Sequence, residues 1–230
     1  MTVFVSGGCK NGKSSFAEEL ACWLRGLEGF SERAHNVRPY EGSDRPLYYL
    51  ATMISTDNED DERIKRHQDQ RAGMGFATIE AGRDILAATE HCNGTLLLDS
   101  ITALLANEMF GIGWDGELRL LAYIKVADDV VRLLDRFESA VVVSDYIYSD
   151  AMLYDDLTEE YRRGLAYVDR ELARRCDAVV EVCQGQVIGH KNDSRLETYL
   201  SIAQSTPRGG AGLPSAKHVL SADYFGGQLS

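Results

Sequence analysis

Apolar and polar positions along this chain fall into two alternating rhythms. Short β-prone runs, rich in Val, Leu, Ile and Tyr, occur at residues 2–6, 47–51, 77–80, 95–99, 140–144, 178–183 and 186–190. Between them apolar residues recur at helical spacing. Residues 15–24 place Phe16, Leu20, Trp23 and Leu24 on one side, and residues 157–175 place Leu165, Val168 and Leu172 on one stripe. Further helices are predicted at 58–71, 83–91, 101–110 and 117–137. The helix at 58–71 has acids at its start and bases later, as its dipole prefers. Strands alternating with helices predict an α/β fold with a mostly parallel sheet flanked by helices. Gln184-Gly185 between the last two runs predicts a C-terminal β-hairpin.

Two stretches break the rhythm. Residues 26–46 are polar and carry Gly29, Pro39, Gly42 and Pro46, and read as an insertion or mobile loop. Residues 192–230 offer one helix, at 196–202, before a run with Gly209, Gly210, Gly212 and Pro214. The expected organisation is one domain over 1–191, with the insertion at about 26–46 and an extension over 192–230 of unknown role. No internal repeat is visible.

The first strand runs into Gly7-Gly8-Cys9-Lys10-Asn11-Gly12-Lys13-Ser14, which reads G-x-x-x-x-G-K-S, and a helix comes next. Strand, loop and helix in that order make a phosphate cradle. Glycines let successive N–H groups turn inward on one anion, and the helix adds its positive end. Lys13 is placed to reach the β- and γ-phosphates and Ser14 to hold Mg²⁺. Asp99, closing the Leu96-Leu97-Leu98 run, is the matching carboxylate on the metal side; capping of the next element is the plainer role for such a residue. The motif points to a P-loop NTPase, and the expected fold class is the RecA-like kind, a mostly parallel sheet flanked by helices.

Composition narrows the partners. The chain has 230 residues, 44% hydrophobic and 26% charged, with a formal net charge of -12. That balance argues against a nucleic-acid or anionic-membrane surface. No apolar run approaches a membrane span, and the strand at the start leaves no room for a signal peptide, so a cytoplasmic protein is expected. Cys9, Cys22, Cys92, Cys176 and Cys183 are odd in number and form no C-x-x-C pair, which fits free thiols. Cys9 occupies one of the loop's free positions.

In the helix at 58–71, Arg63, His67 and Arg71 are spaced i, i+4, i+8 and share a face. Flanking arginines disfavour a charged imidazole, and a neutral imidazole is the nucleophilic form. A solvated face with an idle histidine is the alternative.

The ordered motifs resemble the adenosylcobinamide kinase / adenosylcobinamide-phosphate guanylyltransferase family of cobalamin assembly. The matching pieces are Val5 to Gly8 with the loop through Ser14, Tyr49-Leu50-Ala51-Thr52, Asp61 to Arg71, Thr78-Ile79-Glu80, Leu97 to Thr102 with Asn107, Val141 to Ser144, Tyr161 to Leu172, and Cys176 to Val179. The resemblance implies a single phosphate-loop α/β domain in a homotrimer. It implies a GMP–histidine formed on His67, with Lys13 as the other catalytic group. Nucleotide contacts fall on Gly7, Gly8, Cys9, Lys10, Asn11, Gly12, Lys13, Ser14 and Ser15, on Thr52 and Met53, on Gln68, Asp69, Gln70 and Arg71, and on Glu80 and Asp99. Mg²⁺ falls on Ser14 and Asp99, and the substrates are GTP and/or ATP and a corrinoid.

The chain departs from the family pattern at Gln68, where Arg or Lys is usual, at Ala72 for a proline, and at Asp169 for an asparagine. It departs most at 145–154, where the family has a glycine- and proline-bearing segment. Here that stretch reads Asp145-Tyr146-Ile147-Tyr148-Ser149-Asp150-Ala151-Met152-Leu153-Tyr154. The nucleotide half is nearly intact and the acceptor half is altered. Two other readings stay open: a P-loop small-molecule kinase with a different acceptor, and a non-catalytic nucleotide-binding paralogue.

Overall fold

The structure is a computed structural model, and it describes residues 1–27, 45–55, 64–65, 68–69, 71–111 and 115–205. Among these, seven strands form one sheet: β1 (Thr2–Gly7), β2 (Leu47–Ala51), β3 (Ala77–Glu80), β4 (Thr95–Asp99), β5 (Ser139–Asp145), β6 (Ala178–Cys183) and β7 (Gln186–Lys191). Their order is β3-β2-β4-β5-β1-β6-β7. Every neighbouring pair is parallel except β6 and β7. The helices whose bounds lie among the described residues are α1 (Lys13–Leu27), α2 (Ile85–Ala88), α3 (Ile101–Phe110), α4 (Ala122–Leu134), α5 (Asp156–Arg175) and α6 (Ser194–Ser205).

Strand alternation sorts the core into two layers. Val3, Val5, Leu97, Val141 and Val143 face α1 and α6, whereas Phe4, Leu96, Leu98, Ala140 and Val142 face α3, α4 and α5. The interior strands are buried on both faces, so they read as continuous apolar runs. The expected amphipathic side of α1 is real: Phe16, Leu20, Trp23 and Leu24 are all buried. The hairpin also forms where expected. Gln184 and Gly185 take φ of 48° and 74°, the two positive values that a tight primed turn needs.

Two expected helices are shorter. The one at 83–91 contracts to α2, because its end is consumed by turn bonds. The Thr89 hydroxyl donates back to Ile85 O at 2.7 Å, and the Arg136 guanidinium takes the carbonyls of Leu86 and Thr89. The one at 117–137 begins only at Ala122. Arg119 pairs with Asp115 and Glu117, and its N–H donates to Met109 O at 2.7 Å, which holds the approach to α4 as a loop. The stretch at 196–202 is part of the longer α6. Leu196, Tyr199 and Leu200 pack in the same layer as α1, with the Tyr199 ring 5.2 Å from Trp23 and 6.0 Å from Phe16. The expected insertion lies almost wholly outside the described residues.

Candidate nucleotide site

The parallel strands end together, and their carboxyl ends carry the candidate site residues. Register places Ala51 level with both Glu80 and Asp99, and Gly7 level with Asp145. Open parallel sheets bind ligands along this edge. Strand β5 lies between β1, which bears the loop, and β4, which bears Asp99.

The loop's backbone explains its glycines. A Cβ on Gly7 would collide with Val182 O and stand 2.9 Å from Lys13 Cδ. Gly12 has open space around it, and its φ of 87° is the reason for glycine there. Lys10 also takes a positive φ, 57°. The chain enters α1 at Lys13, with Phe16 N–H on Gly12 O at 3.1 Å. Cys9, Lys10, Gly12 and Ser15 are exposed, while Lys13 is buried along its stem. Lys13 Nζ donates to Gly8 O and to Asp145 Oδ1, both at 2.7 Å.

Asp99 accepts from the Tyr49 hydroxyl at 3.0 Å. Beneath it lies a buried cluster drawn from three elements. The Arg71 guanidinium stands 3.5 Å over the Tyr49 ring, and its Nη1 is 3.7 Å from Glu18 Oε1 on α1. Burial pushes the Glu18 carboxyl up to about 7, against the pull of Arg71, with Asp99 adding to the rise. Burial and the neighbouring Asp99 push the Tyr49 hydroxyl up as well. Arg71 also lines a cavity of about 330 Å³ with Gln68, Phe76 and Thr78.

The structure sorts the residues expected to meet nucleotide. It brings the loop residues, Asp99 and Glu80 to one edge of the sheet. Thr52 is different: it is fully buried, and its hydroxyl donates to Ser100 O and accepts from Ser100 N–H, each at 2.7 Å. Its side chain braces β2 against β4. Asn107, on α3, donates to the carbonyls of Thr52 and Gly82 and tightens the same corner. Arg71 is buried against Tyr49, while Gln68 and Asp69 are exposed. Residues 64–65, 68–69 and 71 are helical, as expected. Arg63, His67 and Gln70 lie outside the described residues.

Asp145 and Glu18 escaped the sequence reading. Asp145 closes a valine-rich strand just as Asp99 closes a leucine-rich one, so the same signal was available. Glu18 had none beyond its place one turn after Ser14. Cys22 and Cys176 are buried thiols, pushed up to about 11 and about 12 by desolvation.

Residues 3–189 match the family described as cobinamide kinase / cobinamide phosphate guanyltransferase. The chain belongs to this family. A curated relative is the bifunctional adenosylcobalamin biosynthesis protein CobU of Salmonella typhimurium, 25% identical over 196 residues that cover 80% of this chain and 97% of that protein. Two solved structures are similar at lower identity. The flagellar accessory protein FlaH of Methanocaldococcus jannaschii is 13% identical, with a TM-score of 0.39 over 78% of this chain and 70% of that one. A Pyrococcus horikoshii OT3 protein is 11% identical, with a TM-score of 0.42 over 84% and 88%. Among the described residues no helix is long and apolar enough to cross a membrane.

Proposed function

We propose that this chain phosphorylates adenosylcobinamide and then transfers GMP from GTP to adenosylcobinamide phosphate through a GMP–histidine on His67, in cobalamin biosynthesis. The observation that carries the reading is the family match over residues 3–189, on a chain whose Gly7–Ser14 segment joins β1 to α1.

In the first half-reaction the acceptor hydroxyl attacks the γ-phosphorus of ATP or GTP, and the bond to the β,γ-bridging oxygen breaks. Lys13 and the loop N–H groups balance the charge on the transferring phosphoryl. In the second half-reaction the His67 imidazole attacks the α-phosphorus of GTP and pyrophosphate leaves. The substrate phosphate then takes the GMP and frees the imidazole. Ser14 and Asp99 supply hard oxygen donors, and Tyr49 occupies one carboxylate oxygen of Asp99, a sparse set that suits Mg²⁺ shared with nucleotide phosphates. When bound, the ion neutralises charge on those phosphates. Glu18, Tyr49 and Arg71 support the site from beneath, and Thr52 braces its floor. The protein works in the cytoplasm and, by the family resemblance, as a homotrimer, with residues 1–191 as the enzyme domain.

The test uses GTP labelled at the α-phosphate. Label stays on the wild type through an acid-labile, base-stable bond, His67→Ala removes it, and adenosylcobinamide phosphate chases it off. An unlabelled wild type ends the guanylyltransferase claim. One observation favours the second reading, a kinase for another acceptor. Residues 145–154 lack the family's glycines and proline, Tyr148 donates to Asp169 at 2.8 Å, and Met152 and Leu153 stand exposed. On that reading Lys13→Ala stops phosphoryl transfer, His67→Ala does not, and adenosylcobinamide is not turned over.

A further inference from the structure

The lysine that must grip the terminal phosphates is already holding an anion. Lys13 Nζ carries three N–H donors, and two are spent on Gly8 O and Asp145 Oδ1, both at 2.7 Å. The side chains of Lys13 and Asp145 are 6% and 23% exposed, so the pair is poorly screened. Asp145 is not a swinging surface acid. It ends β5, an interior strand, in register with Gly7. Its N–H donates to the Thr102 hydroxyl at 2.9 Å, and the next N–H, of Tyr146, donates to Gly7 O at 3.3 Å. The backbone under this carboxylate is therefore pinned to α3 on one side and to the phosphate loop on the other.

We propose that Asp145 is a specificity-determining residue of the nucleotide site, an internal stand-in for the terminal phosphate that competes for Lys13. The proposal rests on the reading that the Gly7–Ser14 loop takes a nucleoside triphosphate. A ligand that reaches Lys13 with its β- and γ-phosphates must displace the carboxylate or share the ammonium with it. Once displaced, Asp145 faces the incoming phosphate as a like charge held in place by its backbone. A ligand that ends at the α-phosphate does neither. Asp145 thus weakens ligands whose phosphates reach Lys13 and leaves a nucleoside monophosphate unaffected.

The experiment is calorimetric titration of the full chain with Mg²⁺ and either guanosine 5′-(β,γ-imido)triphosphate or GMP. Asp145→Asn keeps the shape and the backbone bond to Thr102 while removing the charge. It is expected to tighten the triphosphate analogue about tenfold, the scale of one charge-assisted hydrogen bond, and to leave GMP within about twofold. In a Lys13→Ala background the same substitution is expected to do nothing, because the competition has lost its object. Asp145→Ala, checked for an unchanged melting temperature, is expected to behave as Asp145→Asn does. Weaker or unchanged binding of the analogue by Asp145→Asn overturns the proposal, as does a gain that persists without Lys13. A wild type that binds no triphosphate overturns the nucleotide reading itself, a result distinct from binding that ignores Asp145.

Discussion

Asp169 offers a direct test of how burial sets charge in this fold. It sits on α5 and is 4% exposed, and its Oδ2 accepts from Tyr148. Burial pushes its carboxyl up to about 7, outweighing the help of Ser144 and Tyr148, and Asp145 adds to the rise. The unfolded chain ionises this acid near 3.8. Between those values the folded state binds more protons than the unfolded state, so stability falls as pH rises from about 4 to about 7 and then levels. The full interval corresponds to a ceiling of roughly 4 kcal/mol, which relaxation of the site lowers. Asp169→Asn keeps an acceptor for Tyr148 and removes the titration. Glu18 and Glu19 are also raised to about 7, but they act equally in both proteins and cancel from the difference. Urea unfolding of wild type and variant at intervals from pH 4.5 to 8 measures that difference. We expect the variant to match the wild type near pH 4.5 and to exceed it by at least about 1 kcal/mol at pH 8. A gap that does not grow with pH, or a variant weaker at pH 8, refutes the reasoning.

Two further outcomes probe the loop and the packing of α6. Gly7→Ala forces a methyl group against Val182 O and Lys13, so nucleotide binding measured by calorimetry is lost, whereas Gly12→Ala meets only the strain of its positive φ and costs about 1 kcal/mol. Tyr199→Ala empties the contact with Phe16 and Trp23, and thermal unfolding is expected to report a loss of about 3 kcal/mol if α6 is integral to the core.

Most of the strands were legible because each is a short apolar run bounded by polar turns, and β2, β3, β4 and β6 fall on the expected residues. The helices at 83–91 and 117–137 were overdrawn because periodicity is blind to the side chains that end a helix. Arg136 closes α2 from 47 and 50 residues away, and no local pattern announces that. The same limit hid the role of Thr52. Its hydroxyl binds Ser100, 48 residues on, only because β2 and β4 are neighbours.

The division at the site reflects the range of each interaction. The eight residues from Gly7 to Ser14 specify the glycine turn that opens α1, since that is a matter of local backbone geometry, and with it the candidate anion cradle. The family, too, is written in the order of its motifs. What surrounds the cradle was decided by strand order. Placing β5 beside β1 brings Asp145 to Lys13 across 132 residues, and packing α1 under β2 buries Glu18 against Arg71 and Tyr49. Such pairs owe their strength to exclusion from water, which only the assembled fold supplies.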